Sequence, residues 1–240
     1  MFQLAAVYGI AAKKETNYCF SPGRLYEVFD LEGIKPAELL EQQKYLFREP
    51  AFSFFDQIFT IPESTEIYGY FQSEKYWKHV KRDIVTAFNV KREHIDTIPS
   101  EIKKFCALSN FVHVRKGDYL ATNGFHLTFD YSFYIQALGK QEKVSIFSDD
   151  VEWCRKLQKM LEDLGCEVLL VSDHGLSDAQ EFHLMTTCQG AVTSNSTFSW
   201  WAAYLGPHQR NQRVVAPKVW FGENGHKDTQ DIYVDGWERA

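Results

Sequence analysis

Short apolar runs recur along the second half of the chain at 111–114, 144–147, 168–171, 191–193 and 214–216, with helical patterns between several of them. Runs of this length alternating with helices predict a parallel sheet with covered faces. The clearest helix is 150–164. There Trp153, Cys154, Leu157, Leu161 and Leu164 share one face, Asp149 or Asp150 can cap the start, and Gly165 stands where a left-handed stop is expected. Residues 1–100 are less regular. An apolar helical stretch over 1–12 precedes aromatic-rich segments, FSFFDQIF fits a strand or a buried helix, and a helix is predicted over 74–88. DTIPSEIKK at 96–104 contains Pro99 and few large apolar residues, which predicts a boundary between domains at 1–100 and 101–240.

Composition narrows the class. The 240 residues suffice for one large domain or two compact ones, and 45% apolar with 24% charged residues is the balance of a soluble globular protein. A net charge of -6 argues against nucleic acid as a partner, since phosphate backbones need a basic surface, but leaves room for a pocket that takes one small anion. No apolar run approaches the ~18 residues of a transmembrane segment, and the start lacks a secretory pattern. Cys19, Cys106, Cys154, Cys166 and Cys188 form no CxxC pair, which predicts reduced thiols in a cytosolic protein.

In open parallel sheets ligands sit beyond the carboxyl ends of the strands. The residues there are RKGDY, SDD, SDHG and SNSTF. In the first, strand alternation puts His113 and Arg115 on one face with Arg115 at the exit, where its planar fork can bind phosphate. Gly117 lets the chain turn, and Asp118 can hold the arginine or accept a proton. A purely structural Arg–Asp pair, with His113 as a core residue, fits the same pattern. In the second, Ser148, Asp149 and Asp150 can accept from guanine or ribose, or simply cap a helix. In the third, Ser194, Asn195, Ser196 and Thr197 lead into FSWWAAYL, where free N–H groups and hydroxyls suit a pyrophosphate and capping alone is the competing reading. Trp200 and Trp201 read as core, with one of them facing inward. No DxD pair, Walker loop, GxGxxG or HxxxH occurs. A phosphate leaving group would therefore rest on Arg, Lys and helix termini, and no metal or other cofactor is expected.

HVRKGDY at 113–119 resembles the HxRRxD-type motif of alpha-1,2-, alpha-1,6- and protein O-fucosyltransferases. The block DAQEFHLMTTCQGAVTSNSTFSWWAAYL at 178–205 is similar to the most characteristic segment of the alpha-1,2-fucosyltransferases, glycosyltransferase family 11. GYFQSEKYW at 69–77, FSDD at 147–150 and APKVWF at 216–221 fit that family in the same order. The resemblance implies an α/β fold of two Rossmann-like domains facing a cleft (GT-B type), with the acceptor on the N-terminal side and GDP-fucose on the C-terminal side. It implies metal-independent, inverting transfer of L-fucose from GDP-fucose to a galactose-terminated oligosaccharide or glycolipid in alpha-1,2 linkage. Carried onto this chain, Arg115 binds the β-phosphate of GDP and Asp149 or Asp150 contacts guanine or ribose beside Ser148. Asn195, Ser196 and Thr197, with neighbouring Phe198, meet the donor phosphates. Arg115, His113 and Asp118 form the catalytic group, the general base being Asp118, His113 or a carboxylate of the first domain. Tyr70, Gln72 and Tyr76 fall on the acceptor side.

Lys116 stands where the family usually has a second arginine; the resemblance implies that it still attracts the donor phosphates, with charge kept and the planar fork lost. The family carries a GLGNQ-type loop directly before its MFQ; the chain begins at Met1-Phe2-Gln3, so that loop is expected to be missing. A non-catalytic GDP-sugar or glycan binder and a fucosyltransferase of another linkage are the competing readings. The resemblance further implies a bacterial-type enzyme on the cytosolic side, peripheral to the inner face of the membrane.

Overall fold

In the computed structural model, which describes residues 1–20, 23–34 and 44–240, the apolar start of the chain forms α1 (Phe2–Lys14). The helix stops at Glu15, whose left-handed backbone (φ 53°) lets its N–H close on the Ala11 and Ala12 carbonyls. Gly9 is required inside it, because a Cβ there would lie 2.8 Å from the Cα of Trp77. Two units are distinguished, one of residues 1–91 and 228–235, the other of residues 92–227 and 236–240.

The first unit continues with α2 (Leu25–Val28), β1 (Tyr45–Arg48) and β2 (Thr65–Tyr68). β1 and β2 pair in parallel, Tyr45 opposite Thr65 and Arg48 opposite Tyr68. FSFFDQIF is neither strand nor α-helix; it ends in a 3-10 turn, Asp56–Thr60, that buries Ile58. The helix expected at 74–88 is broken into 3-10 turns at Glu74–Tyr76 and Lys78–Val80, followed by α3 (Lys81–Ala87). Adjacent Tyr76 and Trp77 are both fully buried. A regular helix separates neighbouring side chains by about 100°, so the break at Trp77 (φ -133°, ψ 7°) is what turns both inward.

The second unit opens with α4 (Arg92–Ile95) and α5 (Ser100–Ala107), and Pro99, in the segment where a domain boundary was expected, immediately precedes α5. Then come β3 (Asn110–Val114), α6 (Tyr131–Leu138), β4 (Lys143–Ser148), α7 (Val151–Asp163), β5 (Glu167–Leu170), α8 (Asp178–Thr187), β6 (Gly190–Val192), α9 (Thr197–Leu205), β7 (Val214–Ala216) and β8 (Glu238–Arg239). The apolar runs thus became strands at the expected places. All pairings are parallel, and the order is β5-β4-β3-β6-β7-β8. That is the 3-2-1-4-5-6 order of a doubly wound, Rossmann-like sheet, with the reversal between β3 and β6. In the first unit the described residues show only the two-stranded sheet.

The core lies between sheet and helices: Val112, Val114, Val144 and Ile146 pack with Tyr134 and Leu138 of α6 and with Cys154, Leu157 and Leu161 of α7. Each large apolar side chain buried there contributes about 1.5–3 kcal/mol. The cap of α7 is Asp150, accepting from the Trp153 amide at 3.0 Å, and Gly165 takes φ 90° after its end. Leu164, expected on the buried face, is 65% exposed because the chain is already leaving the helix there. Trp200 and Trp201 are both buried. Trp200 stacks on Tyr204 and meets Trp237, so α9 is enclosed on more than one side and both rings, not one, face inward. Among the described residues no helix is long and apolar enough to cross a membrane.

Candidate functional site at the carboxyl edge of the second sheet

Register builds the site. β3 and β4 pair with Val114 opposite Ser148, so the next residue on each strand, Arg115 and Asp149, emerges at the same level. Arg115 Nε lies 3.2 Å from Asp149 Oδ2, and Arg115 Nη2 lies 2.9 Å from Asp118 Oδ1. The other Asp149 oxygen accepts the Lys116 amide at 2.9 Å. Gly117 is needed between them, since a Cβ would stand 2.5 Å from Asp149 Oδ2. Both contacts are ion pairs that hold the guanidinium at the strand exit, and its planar fork suits an anion there. Lys116 points elsewhere: its ammonium sits 4.4 Å over the Trp153 ring, which stacks on Tyr131.

On the other side of the reversal, His113 Nδ1 pairs with the Ser194 hydroxyl at 2.8 Å, joining β3 to the exit of β6. His113 is buried, and burial, aided by Arg115, lowers its pKa to about 3. A neutral, enclosed imidazole of lowered pKa is a weak base, since the imidazolium it would form is disfavoured by burial and by Arg115. Asp118, at 64% side-chain exposure, is the candidate carboxylate that reaches solvent.

The SNSTF segment divides its work. Ser194, Asn195 and Ser196 are buried, and Thr197 is exposed at the tip of α9. Ser196 caps α9 through the Phe198 amide at 3.3 Å. Asn195 Nδ2 donates to the Trp220 carbonyl at 2.9 Å, while its buried Oδ1 has no hydrogen-bond partner. The Asn195 side chain thereby ties the exit of β6 to the segment after β7. Phe198 packs between Phe182 and His113 at ring distances of 5.4 and 5.8 Å. Amide groups of the first turn of α9 and the Thr197 hydroxyl remain the donors suited to an anion.

The choice between Asp149 and Asp150 is also divided: Asp150 is spent on the cap of α7, and Asp149 on the arginine turn. Ser148 is held at the exit of β4, its N–H donating to Ser172 Oγ at 2.8 Å and its Oγ accepting the Asp150 amide at 2.9 Å. Beside them stands a carboxylate that the motif reading did not single out. Glu181, half-buried in the first turn of α8, bonds the Ser172 hydroxyl, and burial pushes its pKa up to about 7. Its signal in the sequence is only one acid in the helical stretch DAQEFHLM; the enclosure comes from the exit of β5.

Of the acceptor-side candidates in the first unit, Tyr70 is 63% exposed, whereas Tyr76 is a core residue whose hydroxyl accepts the Phe55 amide at 3.2 Å. Gln72 is half-buried with its Oε1 unpartnered. Among the described residues no group of three or more His, Cys, Asp or Glu is arranged to hold a metal ion. The five cysteines are free thiols.

Comparison with known proteins gives these features a class, that of fucosyltransferase-type glycosyltransferases. Residues 41–240 match Glycosyl transferase family 11, and the chain belongs to that family. It is 27% identical over 190 residues to an alpha-1,2-colitosyltransferase of Escherichia coli, covering 73% of this chain and 62% of that protein. It is 30% identical over 140 residues to the O-antigen biosynthesis glycosyltransferase WbnK of Escherichia coli (52% and 43%). It is 32% identical over 105 residues to galactoside alpha-(1,2)-fucosyltransferase 1 of Bos taurus (39% and 28%). The chain thus spans less than two thirds of the length of these relatives. The crystal structure of NodZ alpha-1,6-fucosyltransferase soaked with GDP-fucose shares the fold, with a TM-score of 0.50, 16% identity and coverage of 91% and 90%.

Proposed function

We propose that the chain transfers L-fucose from GDP-fucose to a hydroxyl of a galactoside in alpha-1,2 linkage, with inversion and without a metal ion. The observation that carries this reading is the placement of Arg115 and the tip of α9 on the two strands, β3 and β6, that flank the sheet reversal. Negative charge grows on the departing diphosphate as the bond to the fucose anomeric carbon breaks. A fixed guanidinium and helix-terminal donors aimed there stabilise it most in the transition state. The acceptor hydroxyl attacks that carbon from the opposite side and gives its proton to a base, for which Asp118 is the exposed carboxylate in reach of the arginine turn. With Asp150 spent on the cap of α7, Asp149 and Glu181 are the carboxylates proposed to meet guanine or ribose. The acceptor, a galactose-terminated oligosaccharide or glycolipid, is assigned to the first unit around Tyr70 and Gln72. The two-domain GT-B arrangement and a cytosolic place against the inner membrane face belong to the same proposal. The name of the Escherichia coli colitosyltransferase makes a colitosyl donor the second candidate.

The test is release of GDP from GDP-fucose, and in parallel from GDP-colitose, with a galactoside acceptor present and EDTA added. Acceptor-dependent release that survives EDTA and yields an alpha-1,2 product is expected. Tight GDP binding without turnover would make the chain a binder, and turnover restored only by magnesium would end the metal-free mechanism.

A further inference from the structure

We propose that Tyr119 is the positioning residue that locks the Arg115 guanidinium to the first turn of α9, an inference that rests on the nucleotide reading above. Tyr119 lies in the 3-10 turn Asp118–Ala121 that follows the arginine turn. Its hydroxyl donates to the Asn195 carbonyl at 3.1 Å and also bonds the Ser196 hydroxyl, both in the turn that starts α9. The guanidinium carbon of Arg115 sits 5.5 Å from the centroid of the same ring. One side chain therefore touches both groups assigned to the diphosphate.

The ring is itself held. It stacks on His126 at 4.1 Å with 12° between planes. His126 in turn donates its amide to Thr122 Oγ1 at 3.2 Å and bridges Phe221, while the Gly222 amide bonds the Phe125 carbonyl at 2.9 Å. The stack is thus anchored to the loops after β3 and β7. Burial raises the phenol pKa, so the hydroxyl stays a donor through the neutral range.

The brace adds what the carboxylates leave open: Asp149 sets where the guanidinium points, while the tilt of its plane rests on the exposed Asp118. Asp118 is 64% exposed, and exposed ion pairs hold geometry weakly. An aromatic face restrains the plane of the guanidinium, which a carboxylate at one nitrogen does not. Through the Asn195 bond, that plane is set in register with the amides of α9.

Titrating GDP and GMP separately tests this, because the ratio of their dissociation constants reads the contact to the second phosphate. Arg115→Ala should cut the preference for GDP about tenfold or more, as expected for a charge-assisted contact. Tyr119→Leu should cut it about tenfold with GMP affinity nearly unchanged, and Tyr119→Phe, which keeps the ring, by about threefold. The Arg115→Ala/Tyr119→Leu double variant should lose no more than Arg115→Ala.

If Arg115→Ala collapses the ratio and Tyr119→Leu leaves it intact, or weakens GDP and GMP alike, the positioning role is overturned and the nucleotide reading stands. If Arg115→Ala itself leaves the ratio unchanged, both fall together. Should Tyr119→Leu lack a cooperative melt, Tyr119→Phe decides alone: a lowered ratio supports the role, and an unchanged one overturns it.

Discussion

Arg115 and Asp149 meet at 3.2 Å because β3 and β4 leave the sheet level with one another, Val114 paired with Ser148. At side-chain exposures of 34% and 23% the pair adds little to stability, about 1 kcal/mol or less, but it fixes where the guanidinium points. Arg115→Ala should therefore lower turnover about 100-fold or more while shifting the melting temperature little. Arg115→Lys should be strongly impaired as well, since the planar fork is lost. Steady-state GDP release and a thermal melt on the same variants check both halves; near-normal turnover in Arg115→Ala would remove the residue from the mechanism.

A Cβ at Gly117 would press on Asp149 Oδ2 at 2.5 Å, so a side chain there requires that carboxylate to move. Gly117→Ala is expected to push Asp149 aside, release Arg115 and weaken GDP binding about tenfold, the scale of one lost charged contact. Calorimetric titration of GDP measures it. A variant that binds like the parent chain would show that Asp149 does not set the arginine.

Glu181 has a pH signature. Its pKa is raised from 4.5 to about 7 by burial, so the folded chain keeps a proton that the unfolded chain releases. Stability from this group is full below pH 4.5 and falls as pH rises through about 7. Glu181→Gln should remove that loss, raising the melting temperature at pH 8 relative to pH 5, and weaken nucleotide binding if the carboxylate meets guanine. Melts of both proteins at the two pH values read the first effect; parallel curves would contradict the burial argument.

His113 behaves in the reverse sense. Its pKa is lowered from 6.5 to about 3, so the unfolded chain binds the proton first. Stability from this group is present above pH 6.5 and drains away as pH falls toward 3. An NMR titration should find one imidazole that stays neutral through pH 5, assigned to His113 by its absence in His113→Gln. A resonance titrating near 6.5 at that position would reopen its candidacy as a base.

Much of the second sheet was legible in the sequence because its strands are short apolar runs bounded by turn residues, and because the edge bearing ligands follows from parallel topology. Strand order was not, since it depends on pairings between distant segments. The same limit hid the division between Asp149 and Asp150, which turns on which residue the first turn of α7 claims. The enclosure of Glu181 was hidden too, because it comes from the exit of β5 and not from its own helix. The burial of Tyr76 was hidden as well: an aromatic next to Trp77 reads as surface or core alike, and only the broken helix turns it inward.

The level departure of β3 and β4 makes this edge a ruler as well as a scaffold. Adding or deleting one residue in 111–114 would slide Arg115 by about 3.3 Å and turn it to the other face of the sheet. Exchanges of one apolar side chain for another inside those strands are absorbed by the core, whereas a change of length there is transmitted undamped to the reacting atoms.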